Sequence, residues 1–267
     1  MMALIFGILL TGPCVSVQAS ESGETPSWTY ALSPESLLSE YARLVNRDNL
    51  LPSDYAPTDL VRISARKSSS SALLMREAAS KALSAMFDAA DGDSMALYAD
   101  SGYRSYQTQK TMYNNRLEKN NGVDDGVVAY PGSSDHQTGL AMDVISKAWI
   151  DKKYTTDFGK TAEAGWMAAH CAEYGFIIRY PEGKEDITKI IYEPWHLRYV
   201  GVEAAQYIMR NGLTLEEFTA EWQGYQAEFE AGGGNVQQTL IQGQLPPEAM
   251  ILDVVGEDGD PEVSLYH

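Results

Sequence analysis

The chain has 267 residues, with 37 Asp and Glu against 20 Lys and Arg, a formal net charge of −17. That balance excludes nucleic acid as a partner, because phosphate contacts need a basic footprint and the short run from Arg62 to Lys67 cannot supply one; it argues equally against an anionic membrane surface. Apolar residues at 44% and charged residues at 21% are globular proportions that exclude wholesale disorder, and this length buries one sizeable core.

In chain order, residues 3–17 are apolar and run into Val17-Gln18-Ala19 and then the polar Ser20-Glu21-Ser22. This reads as a secretory signal over residues 1–19, cut after Ala19, although the usual preceding positive charge is missing. The apolar run is roughly 15 residues where a membrane span needs about 20, so the mature chain is expected to be exported without an integral span. A disulfide between Cys14 and Cys171 is not expected, which leaves Cys171 a lone thiol. Ser20 to Trp28 is a polar lead-in. Ser33 followed by Pro34-Glu35, with Leu37, Leu38, Tyr41 and Leu44 at helical spacing, predicts a helix. The Asn-, Asp- and Pro-rich stretch Asn46 to Pro57 predicts a wrapping loop.

A second helix is predicted from Leu73 to Ala90, its apolar stripe made by Leu74, Ala78, Ala82, Met86 and Phe87. Met95 to Ala99 then reads as a short strand, and Tyr106 to Lys119 as a helix capped by Ser105. Val127 to Gln137 is a loop, followed by a strand from Gly139 to Ile145 in which Leu140, Met142 and Val144 share one face and Ala141, Asp143 and Ile145 the other. Thr161 to Tyr174 predicts a helix ended by Gly175. Phe176 to Tyr180 and Lys189 to Tyr192, separated by a Pro-Gly turn, predict a hairpin. Leu215 to Phe229 is a last amphipathic helix. Beyond it, 231–267 is a glycine linker and an acidic tail, so the main domain is expected over 20–230 with its core at 44–201. Helices first and a short antiparallel sheet in the middle give an α+β class, a small sheet flanked by helices.

The four histidines, 136, 170, 196 and 267, are few enough to weigh one by one. His136 precedes Asp143 by seven residues, and His196 ends Glu193-Pro194-Trp195-His196. Two imidazoles and one carboxylate from different elements would make a three-ligand site with an open position, as in catalytic zinc. The alternative is a satisfied structural network, and spacing alone leaves both open. Glu193 is the candidate base, able to take a proton from water and pass it to a leaving amine. In a regular strand positions 193 and 196 face opposite ways, so both reach one site only if Pro194 breaks the strand. Arg104, in Ser101-Gly-Tyr-Arg-Ser-Tyr106, sits at a strand-to-helix junction, where it would hold a substrate carboxylate or oxyanion, or else form a surface salt bridge. His170-Cys171 reads as helix packing, since consecutive helical residues do not face each other. His267 is terminal, Tyr130 is a candidate to line the cleft, and Trp195 a candidate for its floor or wall.

Ser101-Gly-Tyr-Arg-Ser-Tyr106 with Gln109, Ser134-Asp-His-Gln-Thr-Gly-Leu-Ala-Met-Asp143, and Tyr192-Glu-Pro-Trp-His-Leu-Arg-Tyr-Val-Gly201 together resemble the VanY-type D-alanyl-D-alanine carboxypeptidases. These are zinc peptidases of the group that includes the D-Ala-D-Ala dipeptidases and the hedgehog-like fold. The resemblance extends from about Leu44 to Gly201 and takes in Arg179-Tyr-Pro-Glu-Gly-Lys184. It implies zinc on His136, Asp143 and His196, Glu193 as base, Arg104 at the oxyanion, and Ser134 and Gln109 on the terminal D-alanine of a peptidoglycan stem peptide. The sequence departs from the family at Asp135, where Glu is usual, and at Lys189, where Gly is usual. Relatives with the same motifs divide by substrate, so an L,D-carboxypeptidase acting on tetrapeptide stems is the near alternative. A non-catalytic wall-binding module is the distant one, and it would need neither Glu193 nor Arg104.

Overall fold

Ala141 to Ser146 is buried along its whole length, which requires a strand covered on both faces. In the computed structural model, which describes residues 39–231, 233, 254–255 and 261–262, this strand is β4 (Ala141–Ser146). It lies inside a four-stranded sheet of order β3-β4-β6-β5, with β3 Leu97–Ser101, β5 Phe176–Ile178 and β6 His196–Tyr199. Every pairing in that sheet is antiparallel. A smaller ladder joins β1 (Leu60–Arg62) to β2 (Leu74–Arg76). The chain divides into two compact units, 32–222 and 1–31 with 223–267; the first holds the candidate site, and the second contains the short ladder of β7 (Val254–Val255) and β8 (Pro261–Glu262).

Helix α1 (Glu77–Gly92) buries Ala79, Leu83, Met86, Phe87 and Ala90 in the core with Leu140, Met142 and Val144 of the sheet. Its start and stripe differ from expectation. Leu73 and Leu74 continue the apolar period, yet Leu74–Arg76 pairs with Leu60–Arg62 as a strand, and the buried stripe runs through Ala79 and Leu83 rather than Ala78 and Ala82. Helix α2 (Tyr106–Lys119) begins where Ser105 predicts, with the Ser105 hydroxyl accepting from Thr108 N–H at 3.2 Å. Helix α3 (Ala162–His170) tightens to a 3-10 turn over Cys171–Tyr174 and stops at Gly175, whose φ of 81° is left-handed.

The expected hairpin does not form. Phe176–Ile178 pairs with Leu197–Tyr199, and the intervening chain makes the single turn α4 (Glu185–Thr188), closed by Lys189 in the left-handed region. Helix α5 (Val202–Arg210), unforeseen because Gly201 offers no side-chain cap, precedes α6 (Leu215–Ala231). Of the helix expected around Leu37 to Leu44, the described part is a 3-10 turn, Glu40–Ala42. The signal segment, Cys14, His267 and most of the acidic tail lie outside the described residues. No helix among the described residues is long and apolar enough to cross a membrane.

Candidate functional site

Three elements meet at one end of the sheet. His136 lies on a 3-10 turn, Asp135–Thr138, that leads into β4 through Gly139 at φ 69°. That left-handed φ strains any residue with a side chain, and a β-carbon at 139 would also press on the Leu60 and Arg76 side chains, so glycine favours the join of turn and strand. Asp143 of β4 is directly opposite His196 of β6 in the ladder. Before β6 the chain turns at Pro194-Trp195, with His196 N–H donating to Glu193 C=O at 3.1 Å. That turn is the break the sequence demands, and it brings Glu193 Oε2 within 3.3 Å of His196 Nδ1.

One ligand atom each from His136, Asp143 and His196 lie within 4.8 Å of one another, and all three residues are buried. His136 Nδ1 donates to Gly102 C=O at 2.8 Å, which fixes the tautomer and leaves the Nε2 lone pair facing the site. Asp143 Oδ1 and His196 Nε2 are buried without a hydrogen-bond partner. Such orphaned atoms beside a His-Asp-His donor set fit a divalent cation of the zinc type.

The electrostatics agree. Burial and the positive charge of Arg104 push His136 down to about 4, so it is a neutral donor at working pH. Burial opposes ionisation of Asp143, but His136 and His196 outweigh it and hold that carboxyl well below the usual range. Burial would also lower His196, yet Asp143 and Glu193 raise it to about 9, so the pocket draws positive charge to itself. Glu193 is raised by burial against the opposing pull of His196. A carboxylate raised in this way is a better proton acceptor than an exposed one.

Arg104 is drawn into the same cluster. Its Nη2 lies 2.7 Å from His136 Nε2 and donates to Asp143 Oδ2 at 3.1 Å, while Nη1 donates to Gln109 Oε1 at 3.2 Å. Gln109 in turn donates to Ala129 C=O at 2.8 Å and so ties Arg104 to the rim of the cleft. Ser134, buried just before the 3-10 turn, lines the same cleft. The cleft, about 290 Å³, thus gathers all seven residues expected from the sequence. Trp195 lines it too, its ring 5.0 Å from that of Tyr154.

Other expectations fall outside it. Tyr130 packs edge-on to Tyr113 at 5.4 Å and lines a neighbouring small pocket instead, because Val127 to Ala129 take the cleft wall. His170 bonds Glu173 at 2.8 Å and stacks on Trp166 at the surface, as packing predicts. Burial pushes the Cys171 thiol up to about 12. In a Cys14→Ser variant, Cys171 is therefore expected to stay unreactive toward a thiol reagent such as dithionitrobenzoate until denaturant is added; prompt reaction at Cys171 in the folded state would contradict that burial. Asp100, Tyr154 and Tyr180 also line the cleft and were not singled out from sequence. Asp100 directly precedes a recognisable motif and could have been; Tyr154 sits in a stretch without one.

Residues 72–202 match the family model described as VanY, D-alanyl-D-alanine carboxypeptidase. A putative carboxypeptidase, YodJ of Bacillus subtilis (strain 168), is 47% identical over 189 residues, which cover 69% of this chain and 67% of that protein. Among solved structures, the LdcB LD-carboxypeptidase, from work on peptidoglycan recognition, is similar with TM-score 0.64 at 42% identity, covering 77% of this chain and 94% of the other. A mutant of the vancomycin-resistance D,D-pentapeptidase VanY in complex with Zn(II) matches with TM-score 0.56 at 32% identity, over 67% and 99% of the two chains.

Proposed function

Because this chain belongs to the VanY family of D-alanyl-D-alanine carboxypeptidases and is a zinc metallocarboxypeptidase, we propose that it removes the terminal D-alanine from peptidoglycan stem peptides outside the cytoplasm. The observation that carries this reading is Glu193 set beside a buried His-Asp-His cluster in a cleft that also holds Arg104. His136, Asp143 and His196 would hold the zinc. When bound, the ion supplies the Lewis acidity that polarises the scissile carbonyl and makes water nucleophilic near neutral pH.

The chain's own residues supply the rest. Glu193 takes the proton of the attacking water and delivers it to the amine of the departing D-alanine. Arg104 donates to the oxyanion that develops on the carbonyl oxygen, held for that task by Gln109 and Ser101. Ser134 and Gln109 face the terminal D-alanine. Gly102 fixes the His136 ring through its carbonyl, the outer contact that keeps a metal-binding imidazole oriented. The apolar run over residues 3–17 with Val17-Gln18-Ala19 behind it, and membership of a cell-wall-acting peptidase family, support export.

A second reading, an L,D-carboxypeptidase that shortens tetrapeptide stems, is favoured by the higher identity to LdcB, 42% against 32% for VanY. Incubating zinc-loaded protein with pentapeptide and tetrapeptide stems and weighing the products separates the two. Loss of one D-alanine from the pentapeptide alone is expected; loss from the tetrapeptide alone transfers the assignment to the second reading. Removing the metal with a chelator is expected to abolish release, and added zinc to restore it, with far-ultraviolet circular dichroism unchanged because the sheet is packed by its own core. Undiminished turnover in metal-free protein would defeat the zinc mechanism.

A further inference from the structure

None of the roles above uses Asp100, yet the fold departs from regularity to present it. In the β3–β4 ladder Ala99 lies opposite Val144 and Ser101 opposite Asp143, so Asp100 is the extra residue of a β-bulge. A regular strand would send Asp100 and Ser101 to opposite faces; here both line the cleft. The carboxylate is anchored at both oxygens. Oδ1 accepts from the Ser68 hydroxyl and Oδ2 from the Tyr154 hydroxyl, and Ser68 is itself fixed by its N–H, which donates to Ala99 C=O at 2.9 Å. Burial and the negative charges of Asp143 and Asp100 push the Tyr154 phenol well above its ordinary value, so it keeps its proton and donates.

Two hydroxyl donors orient a carboxylate without cancelling its charge. A carboxylate offers about four lone-pair positions, and the hydroxyls occupy two. Among the described residues no Lys, Arg or His is ion-paired with Asp100, and the guanidinium of the cleft, Arg104, is turned to Asp143, His136 and Gln109. What remains is a half-buried, oriented anion beside the rings of Tyr154 and Trp195, which stand 5.0 Å apart. That surface is the complement of a cation, held by charge and by the aromatic faces together.

We propose, building on the stem-peptide reading, that Asp100 with Tyr154 and Trp195 forms a subsite for a side-chain ammonium on the acyl side of the cleaved bond, the group carried by a lysine or another diamino acid residue. Arg104 and Asp100 then read opposite charges within one cleft. The anionic reaction centre and the cationic side chain of one peptide are bound at separate places, and a peptide lacking the ammonium leaves the Asp100 charge uncompensated.

The test uses the zinc-loaded full chain and three stem peptides of the length it cleaves, identical except that the third residue is lysine, Nε-acetyl-lysine or Nε-succinyl-lysine. The expected order of kcat/KM for D-alanine release is lysine, then acetyl, then succinyl, with lysine ahead of acetyl by about tenfold. In Asp100→Asn, which keeps the shape of the side chain, the lysine-to-acetyl ratio is expected to fall to near unity. Equal rates for lysine and acetyl-lysine in the unmodified enzyme overturn the subsite without any variant having to fold, as does an unchanged ratio in Asp100→Asn. Release from none of the three peptides is a different outcome and overturns the carboxypeptidase reading on which the subsite rests.

Discussion

Glu193→Ala is expected to lower kcat for D-alanine release by about 10²–10⁴, the range a positioned general base contributes, while zinc content stays at one ion per chain. The two readouts separate because Glu193 stands outside the three-residue donor cluster and touches it only through His196, at 3.3 Å. Removing the carboxylate takes away the acceptor for the water proton and leaves His136, Asp143 and His196 in place. KM should change little, since the substrate-facing groups Arg104, Ser134 and Gln109 are held by other contacts. Metal analysis and turnover measured on one sample decide the matter. Near-full activity would remove Glu193 from the mechanism, and loss of zinc together with activity would make it a ligand rather than a base.

Asp135→Asn is expected to be the most destabilising single change in the catalytic turn. Asp135 is fully buried, its Oδ2 accepting from Arg179 Nε at 2.7 Å and its Oδ1 from Arg198 Nη1. Burial alone would raise its carboxyl; the charges of Arg198 and Arg179 overcome that and hold it below the usual range. Arg179 also pairs with Glu216, at 2.7 Å, whereas the remaining contacts of Arg198 are the carbonyls of Tyr41, Arg43 and Tyr199. Neutralising Asp135 therefore leaves Arg198 a buried cation with no carboxylate. Breaking a buried pair from one side costs about 3–5 kcal/mol. At roughly 2–4 °C per kcal/mol for a domain of this size, the melting temperature should fall by about 6–20 °C. A shift of only a degree or two in thermal denaturation would mean that the carboxylate is not the counter-charge the geometry implies. Asp135→Glu keeps the charge but adds a methylene where there is no free surface, so it should cost less, about 1–3 kcal/mol.

The chemistry was more legible in the sequence than the architecture around it. His136, Asp143, Glu193 and His196 sit in two contiguous motifs whose local geometry, a glycine-ended turn and a proline-broken strand, is written in the same few residues. Ser105 and Gly175 announced helix ends because a cap is a local interaction. The three-residue ladder of β1 and β2 was not legible: strands so short show no period, and Leu73 and Leu74 fit the helix that follows. The false hairpin at Phe176 failed for a related reason, since its real partner, β6, is the next strand but starts beyond the helical turn Glu185–Thr188 and the bend at Pro194, and no turn signal joins the two. Asp100 and Tyr154 are 54 residues apart, brought together by a bulge that no residue type marks.

The buried knot of Asp135, Arg179, Arg198 and Glu216 also bears on how much of the chain the site depends on. The match to the family model ends at residue 202, and the three proposed ligands are complete by His196. Glu216, at the start of α6, comes 20 residues after His196 (216 − 196) and supplies the second counter-charge of Arg179, through hydrogen bonds of 2.7 and 2.8 Å. A chain emerging from its N-terminus therefore displays every metal-binding side chain before it can neutralise the arginines behind them. Truncation after residue 202 is therefore expected to keep every metal-binding side chain and yet leave Arg179 and Arg198 to share the single charge of Asp135, so the chain that carries the chemistry is shorter than the chain that balances the charge behind it.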